Sequence, residues 1–174
     1  REYIERKLIE TGSRRFVVLR RAFHLFRYTG MRASELVNLR WDHISHQGIW
    51  LESDEDWQTK GRADAILPVA RPLRQFLDEE QHVGEVYVCD DGSGNKFWRD
   101  YSSAGHSFKK MLDQLGLKGP KRQHGFRATV ATELLAAGES PVLVQKLLRH
   151  QQLTTTLGYL NSQELAVQNL VNRL

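Results

Sequence analysis

Residues 124–159, HGFRATVATELLAAGESPVLVQKLLRHQQLTTTLGY, decide how the rest of the chain is read. His124 and Arg127 stand three apart at the start of a helical pattern, which puts them on one face. Ser140-Pro141 opens a second helix, with Ser as N-cap and Pro at the first helical position. That helix is expected to end near Arg149-His150, and Tyr159 follows His150 by nine residues. In one unbroken helix nine residues turn through about 900° and place the two on opposite faces. The intervening QQLTTT carries three threonines and no strong helix former after Leu153, so a break is predicted there. With the break, His150 and Tyr159 can face one site.

Two histidines, an arginine and a tyrosine gathered together suit one kind of chemistry. A guanidinium fork fits a phosphate bidentately. Imidazoles donate hydrogen bonds or move a proton near neutral pH. A phenolate oxygen can attack phosphorus. A phenol's ordinary pKa is about 10, so forming the phenolate near pH 7 costs roughly 4 kcal/mol. Neighbouring cations and a hydrogen-bonded base reduce that cost. Together these residues point to phosphoryl transfer through a covalent phosphotyrosine.

The stretch resembles the catalytic domain of the tyrosine recombinases, the phage-integrase class. That family carries His-x-x-Arg, a His or Trp 23 residues after the Arg, and a Tyr nine further on, and His124, Arg127, His150 and Tyr159 stand at those positions. Residues 29–41, TGMRASELVNLRW, resemble the family's first catalytic-arginine segment. On its own Arg32 reads as a surface arginine, and the resemblance makes it the second clamp on the phosphate. Lys60 lies eight residues before Pro68, the offset at which the family places a catalytic lysine on a β-hairpin. Without the resemblance Lys60 reads as a solvated hairpin lysine; with it, Arg62 beside Lys60 is a weaker rival for the role and reads rather as a phosphate contact. The resemblance implies that Arg32 and Arg127 hold the scissile phosphate, His150 bonds a non-bridging oxygen, and His124 accepts the Tyr159 proton or orients the phosphate. Tyr159 then attacks, and Lys60 protonates the departing 5′ oxygen. Two positions depart from the family pattern: Ala128 replaces a common His, and Arg149 replaces a common Gly, adding a phosphate contact or marking a subfamily.

The remaining chain fits a mainly helical α+β domain with a small antiparallel sheet near residues 48–69. Residues 3–10 and 14–28 read as helices separated by Gly12-Ser13, the second with Val17, Val18, Ala22, Leu25 and Phe26 near one face and its arginines on a solvated face. Ser34 and Glu35 favour a helix start after Arg32, with Glu35 in a structural role. A helix from Arg71-Pro72 to about His82, a buried strand at 85–89 and a helix at 101–116 bearing Phe108, Leu112 and Leu115 follow. The loop DDGSGN (90–95) has the wrong ligand spacing for calcium. Lys118, Lys121 and Arg122 form a basic cluster that reads equally as a DNA-backbone patch or a solvated loop. Val167, Leu170, Val171 and Leu174 make an apolar stripe that packs either on the chain's own core or, as in the family, on a neighbouring protomer.

Composition narrows the class. With 174 residues, a formal charge of +4 and a pI near 9.3, the chain is long enough for one modestly basic domain. Cys89 is the one cysteine, so no internal disulfide forms and nothing argues for secretion. No apolar run is long enough to span a bilayer. His43 and His46 lack partners at metal-binding spacing, no phosphate-binding G-x-x-x-x-G-K-[ST] loop is present, and the proposed chemistry needs neither metal nor nucleotide cofactor. The resemblance covers nearly the whole chain as one catalytic domain, residues 1–174, without the family's N-terminal DNA-binding arm. It implies double-stranded DNA as partner, a homo-oligomer (a tetramer) on DNA joined through the C-terminal helix, and action in the cytoplasm. A type IB topoisomerase and a non-catalytic DNA-binding remnant are the alternatives.

Overall fold

The computed structural model describes residues 1–53, 64–80, 84–117 and 124–160, the side chain of His124 excepted. Helices α1 (Glu2–Thr11), α2 (Arg14–Thr29) and α3 (Ala33–Asn38) lead through a 3₁₀ turn (Trp41–His43) into a three-stranded antiparallel sheet. Its strands are β1 (Ile44–Ser45), β2 (Gly48–Leu51) and β3 (Ala65–Leu67), with β2 central and Trp50 opposite Ile66. Helices α4 (Arg71–Glu79), α5 (Tyr101–Gln114), α6 (His124–Ala136) and α7 (Pro141–Leu148) follow, and residues 153–160 are helical. The expected mainly helical fold with a small antiparallel sheet is what is observed. Among the described residues no helix is long and apolar enough to cross a membrane.

Two apolar clusters organise these elements. The larger is built on α2, α3, β2 and α5, with Leu19, Leu25, Leu36, Ile49 and Phe108 fully buried. The smaller joins α6 to α7 through Val130, Ala131, Leu135, Val144 and Leu148. Phe126, on α6, ties the two: its ring stacks on Phe26 at 5.6 Å and meets Phe23 and Phe108 edge-on. The α2–α3 turn touches the smaller cluster directly. Gly30 ends α2 in the left-handed region (φ 59°), and a Cβ there would stand 2.6 Å from Leu148 Cδ2. Gly30→Ala is therefore expected to destabilise the fold by about 2 kcal/mol, from the φ penalty and the displaced leucine. Urea unfolding of the variant checks this, and an unchanged midpoint would refute it.

Several local expectations need correction. Only part of the α2 arginine set is solvated: Arg27 is exposed, but Arg21 is 1% exposed, with Nε donating to Glu80 at 2.6 Å and Nη1 donating to Glu85 and to the Val88 carbonyl. Arg20 also pairs with Glu80, and Arg14 pairs with Glu85. Of the expected face Val18, Ala22, Leu25 and Phe26 are buried but Val17 is only half-buried, and Phe16 and Leu19 join the face. The helix opened by Arg71 stops at Glu79, because Glu80 adopts extended backbone and turns to meet Arg20 and Arg21. Residues 85–89 form no strand, only an isolated bridge from Tyr87 to Arg40. The Asp90 carboxylate accepts from the backbone N–H groups of Val86, Gly92 and Gly94, diverting a donor that a ladder would use. Cys89 beside it is fully buried, which pushes its thiol up to about 12. On α5 the buried face is Ala104, Phe108 and Met111, Leu112 packs partly buried against it, and Leu115 caps the helix, exposed.

The Gly61 turn, Arg62, His82, the Lys118–Lys121–Arg122 cluster, Gly119-Pro120 and the stripe from Val167 to Leu174 lie outside the described residues.

Candidate active site

The site lies where α6 meets the α2–α3 turn. Buried positions on α6 recur as Arg127, Val130, Ala131 and Leu135, so Arg127 occupies a place in the stripe that otherwise holds apolar side chains. Only 7% of it is exposed. Its Nη1 donates to the Gly30 carbonyl at 2.7 Å, and its Nη2 is buried with no partner among the described residues. Burial, reinforced by the charges of Arg32 and Arg149, pushes this guanidinium down to about 10. An arginine held this way is poised for an anion.

Arg32 is the N-cap of α3, and Glu35 one turn later bonds back to it. Glu35 Oε2 accepts from the Arg32 backbone N–H at 2.7 Å, and Oε1 accepts from Arg32 Nη1 at 2.8 Å. The same carboxylate takes Arg149 Nη2 at 2.6 Å, and the Arg149 carbonyl accepts from Arg32 Nη2 at 3.0 Å. Burial opposes ionisation of Glu35, but the Arg149 charge and the Arg32 donors outweigh it and hold its carboxyl below the usual range. Among the described residues this is one buried carboxylate with the charges of Arg32, Arg127 and Arg149 around it, a net positive site.

Residues 149–152 carry the turn that the spacing required. Arg149 closes α7 in the left-handed region (φ 53°), and the His150 N–H bonds back to the Gln145 carbonyl. The break therefore falls before Leu153, and the three threonines expected to break the helix lie within the next one. Thr156 explains this override of propensity: it is fully buried, and its Oγ1 lies 2.8 Å from His150 Nδ1. Ser140 stands at the N-cap of α7 but makes no side-chain capping bond. The imidazole of His150 stacks on the Tyr159 ring, centroids 6.3 Å apart and planes 27° from parallel. Tyr159 packs against the α6–α7 cluster and lies within electrostatic reach of Arg127.

The structure thus brings Arg32, Arg127, His150 and Tyr159 into one neighbourhood. His124 opens α6 one turn before Arg127, with its side chain outside the described residues, and Lys60 lies outside them altogether. Gly30 and Thr156 are site residues not expected from sequence, and Arg149, expected as a phosphate contact or subfamily mark, pairs with Glu35. Only the glycine left a signal, since Thr29-Gly30 reads as a turn and its carbonyl was not considered as an acceptor.

Burial first, then the charges of Arg127, Arg32 and Arg149, push His150 down to about 4. The ring is therefore neutral at pH 7, and in the tautomer with the Thr156 hydroxyl donating to Nδ1, one of the two the contact allows, Nε2 is a donor for an anion. A histidine that titrates near 6.5 unfolded and about 4 folded leaves stability intact above 6.5 and removes it as the pH falls toward 4. After allowance for the ring's partial exposure, a loss of about 1–2 kcal/mol is expected. Urea unfolding at pH 7 and pH 5 should show a smaller pH-dependent loss in His150→Gln than in the native protein; equal losses would rule the linkage out.

Residues 6–165 match the Phage integrase family. A tyrosine recombinase of Thermosipho africanus is 31% identical over 144 residues, covering 80% of this chain and 48% of the relative. The tyrosine recombinase XerC of Chlamydia caviae is 32% identical over 142 residues, covering 78% and 44%. The chain spans about half the length of the curated relatives it matches. Among solved structures, the Tn1549 transposon integrase in complex with transposon right end DNA superposes with a TM-score of 0.71 at 17% identity, covering 98% of this chain and 63% of that one. XerA recombinase gives 0.65 at 22% identity, covering 97% and 64%. A lambda integrase dimer bound to a core site gives 0.65 at 19%, covering 82% and 51%. These structures share the fold.

Proposed function

Because the chain belongs to the phage integrase family of tyrosine recombinases, we propose that it cuts and rejoins DNA at specific sites through a 3′-phosphotyrosine. The observation that carries this reading is the net positive cluster of Arg32, Arg127 and Arg149 around Glu35, set beside a neutral His150 stacked on Tyr159. Arg32 and Arg127 engage the non-bridging oxygens of the scissile phosphate, and His150 Nε2 donates to one of them. The Tyr159 oxygen attacks phosphorus as its proton passes to His124. The bond from phosphorus to the 5′ oxygen breaks, and Lys60 gives that oxygen a proton. A 5′ hydroxyl from a partner strand then attacks the phosphotyrosine, releasing Tyr159 and completing the exchange. The phosphotyrosine conserves the energy of the broken diester, so no nucleotide is consumed. The match to recombinases weighs for strand exchange over simple relaxation.

Duplex DNA is the proposed partner, as in the solved integrase complexes, and the cytoplasm the proposed setting. Exchange between two duplexes breaks every strand once, and each protomer brings one nucleophile, so the proposed assembly is a tetramer on DNA. The apolar stripe at Val167, Leu170, Val171 and Leu174 is its proposed bridge.

The test is covalent capture. A library of nicked duplexes with a randomised core is incubated with the full-length protein, denatured, and the protein-linked DNA recovered. The expected result is a protease-sensitive adduct whose modified peptide carries a nucleotide 3′ phosphate on Tyr159. An adduct mapping to another side chain, or binding without any adduct, overturns the reading.

A further inference from the structure

We propose that Arg149 is a positioning residue: by sharing Glu35 with Arg32, it holds Arg32 in place while leaving Arg32 donors for the phosphate. This rests on the recombinase reading above. Two observations carry it. The first is the bonding around Glu35. Arg32 is tied at Nη1 by Glu35 and at Nη2 by the Arg149 carbonyl, one bond each. A guanidinium has five N–H donors, so this geometry fixes its plane and leaves other donors uncommitted. Without Arg149 Nη2, the Glu35 carboxylate would be compensated at the side-chain level by Arg32 alone. A two-pronged ion pair between them is the favoured outcome for such a pair, and it would withdraw donors from an incoming phosphate.

The second observation is where Arg149 stands. Among the described residues it is the one non-glycine with positive φ, a conformation that costs an L-residue about 1 kcal/mol. Glycine would take that position without the penalty. The side chain is nevertheless brought inside, 19% exposed, with Nη1 buried and no partner among the described residues. A backbone penalty and an unmet donor are both offset only by the pair with Glu35, which places that pair at the centre of what the residue does. The site also gains a charge. A phosphodiester has one negative charge and its pentacovalent transition state two, and the guanidiniums of Arg32, Arg127 and Arg149 less the Glu35 carboxylate leave an excess that suits the latter. His150 is next in the chain. It faces Arg127 on α6, Arg32 at the start of α3, Arg149 itself, Thr156 and Tyr159, so removing the Arg149 charge raises its proton affinity.

Arg149→Gly and Arg149→Lys test this, with Tyr159→Phe as control. In Gly the relaxed backbone offsets only part of the lost pair with Glu35, so the variant folds with a melting temperature lowered by a few degrees. The expected results are duplex binding within about threefold of the native protein and adduct formation slowed on the order of 10- to 100-fold, the scale of a catalytic group displaced by about 1 Å. The His150 Cε1–H NMR titration of the DNA-free protein should move to higher pH in Arg149→Gly, and Arg149→Lys should restore part of both rate and titration. Native rate and native titration in Arg149→Gly overturn the inference. So does a slowed rate accompanied by an unmoved titration, which would mark Arg149 as purely structural. A native protein that forms no Tyr159-dependent adduct instead refutes the recombinase reading, and the titration still decides the geometry without DNA.

Discussion

Arg127→Met is expected to stabilise the DNA-free protein and, in the same molecule, to remove DNA cleavage. The buried guanidinium is pushed from its ordinary 12.5 down to about 10, first by burial and then by Arg32 and Arg149. A lowered arginine pKa means that the charged form is penalised in the fold at every pH below about 10, and the penalty lifts only above it. At about 1.4 kcal/mol per unit, that is roughly 3 kcal/mol of destabilisation at neutral pH. The hydrogen bond to Gly30 returns about 1 kcal/mol of it. Methionine has similar reach, fills the α6 stripe and carries no charge, so a net gain of about 1–2 kcal/mol and a melting temperature higher by about 2–8 °C are expected. Adduct formation should fall by about 10³-fold, since the proposed clamp on one phosphate oxygen is gone. Calorimetry and covalent capture on the same preparation check both halves. A destabilised variant that still cleaves would show that Arg127 belongs to the scaffold and not to the chemistry.

Tyr159→Phe is expected to abolish the covalent intermediate while changing little else. The ring packs on the α6–α7 cluster and stacks on His150, and phenylalanine keeps both contacts. Only the oxygen is lost. Stability within about 1 kcal/mol of the native protein and unchanged duplex binding are expected, with no adduct on a denaturing gel. Persistence of the adduct would put the nucleophile elsewhere. Loss of duplex binding together with the adduct would mean that the hydroxyl serves recognition first.

Where sequence and structure agree and where they part has a physical basis. The helices were legible because apolar spacing and glycine stops are local signals: Gly12 and Gly30 end α1 and α2 where expected. The approach of His150 to Tyr159 was legible because helical geometry forbids it without a turn. α7 ends where expected, at Leu148 with Arg149 as its left-handed cap, and the break takes in Gln151 and Gln152; the threonines read as helix breakers lie inside the next helix, held there by the buried Thr156–His150 bond. Arg21 illustrates a harder case. Its partners Glu80 and Glu85 lie 59 and 64 residues away, and no periodicity along α2 reports on them. At both Arg21 and Arg127 a cation occupies a buried stripe position, although the α2 arginines read from sequence as a solvated face. The first is matched by carboxylates and braces the scaffold. Among the described residues the second bonds only the Gly30 carbonyl, and that difference supports its proposed functional role.

Cys89 has a practical consequence. The only thiol in the sequence is enclosed in the core and stays protonated through the working range, so it offers no thiolate to an alkylating dye. A cysteine introduced at an exposed position such as Ile9, which is 86% exposed, would be the sole reactive handle on the native background. Fluorophores or spin labels can then be placed one at a time without first replacing a core residue, which would make distances between protomers measurable in the proposed assembly.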